Sequence, residues 1–158
     1  METRYAGFWI RFIADIIDSL ILTIVSWILE YALLGLMYGL WSFYARNKGL
    51  SVPPFSDAFN AFWLQVFNIG VYVVIAFPYY VWGHFRFGTT LGKRPFKIYV
   101  VDCESLGPIT VGQSIRRFFS YGLSYALLCT GFLMAAFHPQ KRALHDLLAG
   151  TVSVRRIT

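Results

Sequence analysis

Tyr5-Ala-Gly-Phe-Trp-Ile-Arg11-Phe-Ile-Ala14-Asp15-Ile-Ile-Asp18-Ser-Leu-Ile-Leu22 decides how this chain is to be read. Three ionisable side chains interrupt an apolar run long enough to begin a membrane helix. Charges in such a helix are costly and need a partner or a purpose. They share one face: spacings of four and three residues bring Arg11, Asp15 and Asp18 within roughly 40° at ~100° per residue. Ala14, Leu22, Ser26 and Glu30 continue that stripe, and the opposite face is Phe, Ile, Leu and Val. The pattern predicts a helix with a charged seam toward protein and an apolar back toward lipid.

The rest of the chain agrees. Its 158 residues allow one domain, 1–158. They are 57% hydrophobic, 19% aromatic and only 14% charged. The mean hydropathy is +0.55, outside ordinary soluble composition. The net charge of +6 could point to nucleic acid. Here the basic residues cluster beside apolar runs, which fits the positive-inside rule instead. Cys103 and Cys129 stand alone, so no zinc site is expected. No cleavage site follows the first apolar run, which reads as a retained helix.

A span needs ~20 mainly apolar residues. The first helix is predicted over about 8–40 and the second over about 59–82. Between them, residues 42–58 form a connector with Asn-Lys-Gly and Pro-Pro breakers. Gln65, Asn68, Tyr72 and Tyr79 make a second polar stripe within ~60°. Trp9 and Trp82 mark one membrane face, Trp41 and Trp63 the other. Residues 83–112 are too polar to span; Lys97–Asp102 (KIYVVD) reads as a strand, in a short hairpin or an ordered interfacial loop. His84 and His138 read as surface residues. A third apolar segment covers about 114–137. The tail, 138–158, reads as an amphipathic helix at the membrane surface, ended by Gly150 before an extended TVSV.

Charge counting sets the orientation. Arg4, Arg11, Arg86, Lys93, Arg94, Lys97, Arg116 and Arg117 outnumber Arg46 and Lys48 in the connector. The N-terminus and the 83–112 loop are therefore predicted to be cytoplasmic. Three full crossings would put Lys141, Arg142, Arg155 and Arg156 outside, against the rule. A third segment that re-enters, or bends at Gly122 or Gly131, returns the tail to the cytoplasm and is preferred; the alternative is a plain third span with an external basic tail.

Three motifs, in order along the chain, resemble the RDD family of bacterial membrane proteins. The first is Arg11-x-x-Ala14-Asp15-x-x-Asp18. The second is Thr90-Leu-Gly92-Lys93 followed by Ile98-Tyr-Val-Val-Asp102. The third is Arg142-Ala-Leu-His145-Asp146-Leu-Leu-Ala149-Gly150-Thr151-Val152. The resemblance implies a multi-pass protein of the bacterial inner membrane. It matches the family's aspartates to Asp18 and Asp146, with Asp15 as an extra carboxylate. Some members are associated with sodium–proton antiport; others accompany a membrane protease or a quality-control assembly.

The expected architecture is thus all-α, with about three transmembrane or re-entrant segments. In the transport reading, Asp15, Asp18, Asn68 and Asp146 bind a monovalent cation or a proton. Paired carboxylates in a low-dielectric site favour keeping one proton, and Asn68, Gln65 and Ser19 add oxygens. Arg11, Lys93, Arg116 and Arg117 compensate charge, and His145 titrates near neutrality as a sensor or relay. Three short segments call for a homo-oligomer to build a pathway. The bland reading is that the same charges only brace the helices. A third reading is a small adaptor that docks a larger membrane protein, such as a protease or transporter. No nucleophile elbow, HExxH or carboxylate metal motif appears, so no enzyme activity, cofactor or resident metal is expected. Nucleic acid is not an expected partner.

Overall fold

A computed structural model describes residues 2–57, 61–127 and 130–157. Cys129 lies outside them. The described chain falls into two compact units. One comprises residues up to Leu20 together with Phe77 onward; the other is Ile21–Ala76.

Strand β1 (Glu2–Tyr5) leads into α1 (Phe8–Asn47). The helix outruns the predicted end near residue 40. Gly35 and Gly39 stay helical, in open space, and the helix closes at Lys48 and Gly49 (φ 69°). Helix α2 (Ala61–Trp82) is extended by a π-helical turn, Gly83–Phe87. These two helices are long and apolar enough to cross a membrane. Within the second unit, the Tyr38 hydroxyl donates to the Pro53 carbonyl (2.8 Å) and fastens the connector back onto α1.

The fold is mostly helical but not all-α. Strands β2 (Ile98–Asp102) and β3 (Thr151–Ile157) join β1 in an antiparallel sheet ordered β1-β3-β2. KIYVVD is a strand, as its run of β-branched and aromatic residues favours, but among the described residues it has no local hairpin partner. It pairs with the tail, Val101 opposite Val152 and Ile98 opposite Arg155. Tyr5 lies opposite Val154 on the other side of β3. Val101, Val152 and Val154 form one small core, while Ala6, Ala14 and Ile98 form another. The shared sheet holds the start of the chain, the 83–112 loop and the tail on one side.

The third apolar segment is broken. Helix α3 (Val111–Ala126) starts at a capping box in which the Thr110 hydroxyl accepts the Gln113 N–H (3.2 Å) and the Gln113 side chain accepts the Thr110 N–H (2.8 Å). Helix α4 (Thr130–Phe137) follows at 105° to it. The bend falls between Gly122 and Gly131 rather than at either. The tail helix, α5 (Leu144–Ala149), is only six residues long. One face of it is buried, through His145, Asp146 and Ala149, while Leu148 is exposed. Gly150 (φ 65°) ends it, and β3 leaves extended.

Candidate functional site

The first three turns of α1 carry Arg11, Asp15 and Asp18 into the interior of the first unit. Arg11 and Asp18 are buried, while Asp15 keeps a partly exposed side chain. Two separate carboxylate sites result.

The first centres on Asp146, which is fully buried on α5. One guanidinium nitrogen of Arg11 donates to its Oδ2 (2.5 Å) and one of Arg117, on α3, to its Oδ1. The Ala143 N–H also donates to Oδ2 (3.0 Å), capping α5. Arg117 reaches on to the Thr151 hydroxyl (2.7 Å) at the start of β3. One carboxylate therefore latches α1, α3 and α5 together. Burial alone would raise its pKa; Arg11 and Arg117 outweigh that and hold it well below the ordinary 3.8.

His145 sits against this pair. Its ring packs on Tyr121 (4.2 Å between centroids) and Phe132 (5.3 Å). Its Nε2 lies 3.1 Å from the Arg11 guanidinium. Arginine only donates, so Nε2 accepts and the ring proton belongs on Nδ1. A protonated ring would face donor with donor. Burial pushes the pKa well below the ordinary 6.5, and Arg117, Arg11 and Lys93 add to this against the opposing pull of Asp146. The expected titration near neutrality is corrected: His145 is held neutral.

The second site centres on Asp18. Its carboxylate accepts from three uncharged donors, the Tyr79 hydroxyl on α2, the Thr90 hydroxyl (2.5 Å) and the Gly92 N–H (2.7 Å). Among the described residues no cation pairs with it. Lys93, next in the chain, turns to Asp15 instead (3.0 Å) and also donates to the Tyr121 hydroxyl (3.3 Å). Burial of Lys93 disfavours its charge, but Asp15 outweighs this and its pKa is raised. Across both sites three cations face three carboxylates. A water-sized cavity of ≈ 10 Å³ lies beside Arg11 and Asp15, walled by Phe8, Phe12 and Phe132.

Two expected members are elsewhere. Arg116 is exposed and donates to its own helix at Gly112 (3.4 Å); its neighbour Arg117 takes the inward position. Asn68 belongs to the second unit, where it donates to Glu30 (2.5 Å). The α2 side chain that meets Asp18 is Tyr79, in the first unit. His84 is not a surface residue. It is buried in the π-helical turn and stacked on Tyr80 (5.9 Å between centroids). Thr90 and Gly92 were not among the expected site residues, although the second motif contains both.

The model of the RDD family matches residues 5–150, which include every residue of both sites except Thr151. The chain belongs to the RDD family. Its similarity to other proteins runs nearly end to end. It is 32% identical to the uncharacterized protein YxaI of Bacillus subtilis, over 92% of this chain and 94% of that one. It is 25% identical to the uncharacterized protein RP437 of Rickettsia prowazekii, over 96% of each. It is 28% identical to the uncharacterized membrane protein YteJ of B. subtilis, over 95% of this chain and 80% of that one. No solved structure matches it significantly. This RDD protein is a membrane protein whose two longest helices meet the length and apolarity of spans.

The neutral His145 makes a pH prediction. Its folded pKa lies below its unfolded 6.5, so the unfolded chain binds more protons in that window and stability rises with pH. The contribution is complete above pH 6.5 and is lost progressively below it, at up to ~1.4 kcal/mol per pH unit. Thermal unfolding in detergent should show the midpoint falling as the solution is acidified through this range. His145→Gln keeps an acceptor for Arg11 but cannot charge, and should flatten the slope. An unchanged slope in the variant would remove His145 from the account.

Proposed function

We propose that this RDD protein exchanges a monovalent cation, Na⁺ being the first candidate, for a proton across the bacterial inner membrane. The observation that carries the reading is the contrast between the two buried carboxylates. Asp146 is neutralised by two arginines and is a fixed latch. Asp18 is buried and takes its hydrogen bonds only from neutral donors, with Lys93 paired to Asp15 and acting on Asp18 only through space, so a proton or a cation can neutralise it in turn. The Tyr79 and Thr90 hydroxyls have lone pairs to give a cation once they rotate away from donating. One cation entering as one proton leaves is electroneutral at this carboxylate. Asp15 and Lys93 form the adjacent charged pair that the exchange would disturb.

In this reading α1 and α2 cross the membrane and the bent α3–α4 pair re-enters. The sheet side, rich in Lys and Arg, is cytoplasmic. A homo-oligomer completes the pathway. The role is transport rather than catalysis.

A second reading, a small adaptor or regulator that docks a larger membrane protein, is favoured by one observation. Arg11, Lys93 and Arg117 are all paired internally, as a rigid brace would have them. Flux separates the two. Reconstituted in liposomes, the wild type should move protons against imposed Na⁺ or K⁺ gradients. Asp18→Asn, checked for folding by its unfolding transition, should abolish that flux. A wild type silent across pH and cations would sink the exchange reading and leave the adaptor.

A further inference from the structure

Glu30 lies near the middle of the 40-residue α1, in the second unit. Its neighbours Trp27, Ile28, Leu29 and Tyr31 are exposed on the apolar outside of the helix, whereas Glu30 itself is 7% exposed. Its carboxylate Oε2 accepts from the Asn68 amide on α2 (2.5 Å). Among the described residues no Lys, Arg or His pairs with it. The next basic residue along α1 is Arg46, about four turns on. Ser26, one turn back, commits its hydroxyl to the Thr23 carbonyl (3.0 Å) and offers Glu30 nothing. Tyr31 follows Glu30 in the sequence, and Tyr72 stands one turn from Asn68 on α2.

A carboxylate in the spanning part of a helix is expensive unless something cancels its charge. Arg11, Lys93 and Arg117 do this for Asp146 and Asp15. An amide does not: it donates one hydrogen bond and leaves the charge standing. A purely structural inter-helix bond would be made as well by glutamine, at lower cost.

We infer that Glu30, held by Asn68, is a second proton-binding site within the membrane-spanning part of the chain. The step is proton transfer alone: an O–H bond forms on the carboxyl at uptake and breaks at release, and the proton passes to or from water. Its role in transport rests on the exchange reading of Asp18; the proton site itself does not.

Two measurements on the full chain in liposomes test this. The first is the infrared difference spectrum between acid and alkaline buffer, read in the protonated-carboxyl region. Glu30→Gln keeps the shape and the acceptor for Asn68, so it should fold. It should remove one titrating band that Asp18→Asn retains. A spectrum in which Glu30→Gln removes nothing overturns the site. The second is cation-driven proton flux, expected to fall at least about tenfold in Glu30→Gln, a loss of ~1.4 kcal/mol or more. Wild-type flux that survives the substitution overturns the transport role while leaving Asp18 as the exchange site. Absence of flux in the wild type overturns the exchange reading and the transport role together, and the infrared result alone then decides the proton site.

Discussion

Asp146→Ala should cost this protein about 3–5 kcal/mol of folding stability, the range for removing one partner from a buried ion pair. The expectation comes from what remains. Arg117 is fully buried and Arg11 nearly so, and both would be left without an anion. The Ala143 N–H would lose its cap as well. Because Asp146 latches α1, α3 and α5, the loss should spread: the tail would loosen from the sheet, and β3 is the middle strand. Chemical or thermal unfolding in detergent reads the cost, and protease sensitivity around residues 138–157 reads the loosening. A double-mutant cycle sharpens the test. Arg11→Met in the Asp146→Ala background removes one stranded charge and should recover part of the loss. Recovery should be incomplete because Arg117 stays, and because Arg11 also donates to the Lys141 carbonyl (2.7 Å), which would then lack its donor. A cost below about 1 kcal/mol for Asp146→Ala would mean that water reaches the site and that the latch is not dry.

Much of this architecture is legible from local pattern. The two long apolar runs give α1 and α2, the β-branched and aromatic run in KIYVVD gives β2, and Gly150 before TVSV gives the turn into β3. What local pattern could not supply was pairing. β1 is four residues of mixed chemistry, ETRY, with no periodicity to read. It is a strand because β3 lies alongside it, about 150 residues away in sequence. The charge conflict over the third segment was visible, and in the sheet the tail strand β3 pairs with β1 at the start of the chain. The position of the break was not visible, since neither Gly122 nor Gly131 makes it.

The site shows the same division. Arg11, Asp15 and Asp18 follow from helical spacing, but their partners do not. Arg116 and Arg117 are one residue and ~100° apart, so only one can face inward, and composition does not say which. The tail helix was read by its leucines, although its buried face includes His145 and Asp146. Compensating arginines on two other helices make that burial tolerable, and hydrophobic periodicity cannot register them. Asn68 was assigned by angle alone. Angle alone does not say which residue of α1 an α2 side chain meets, and within the second unit Asn68 meets Glu30.

Gly92→Ala should be the most damaging small substitution outside the ion pairs. A Cβ at residue 92 would lie 2.3 Å from the Ala14 carbonyl oxygen and 2.8 Å from both the Asp18 N and its Cγ. Two of these are backbone atoms of α1, and the third belongs to a buried carboxylate fixed by three donors. None can rotate away, so the loop must lift off the helix. Overpacking of this kind costs about 1–3 kcal/mol, occasionally more, and the upper end is expected here because three contacts then part. The Gly92 N–H leaves Asp18, Thr90 leaves the same carboxylate, and Lys93 leaves Asp15. Close approach of the loop, rather than backbone freedom, is therefore what the glycine supplies. Gly70→Ala is the control. It lies inside α2 with nothing within 4 Å of an added Cβ, where alanine should be neutral or improve the helix by up to ~1 kcal/mol. Unfolding midpoints of the two variants should therefore move in opposite directions, or Gly92→Ala alone should fall. Equal midpoints would mean that the loop does not rest on α1, and the neutral cradle around Asp18 would lose its basis with it.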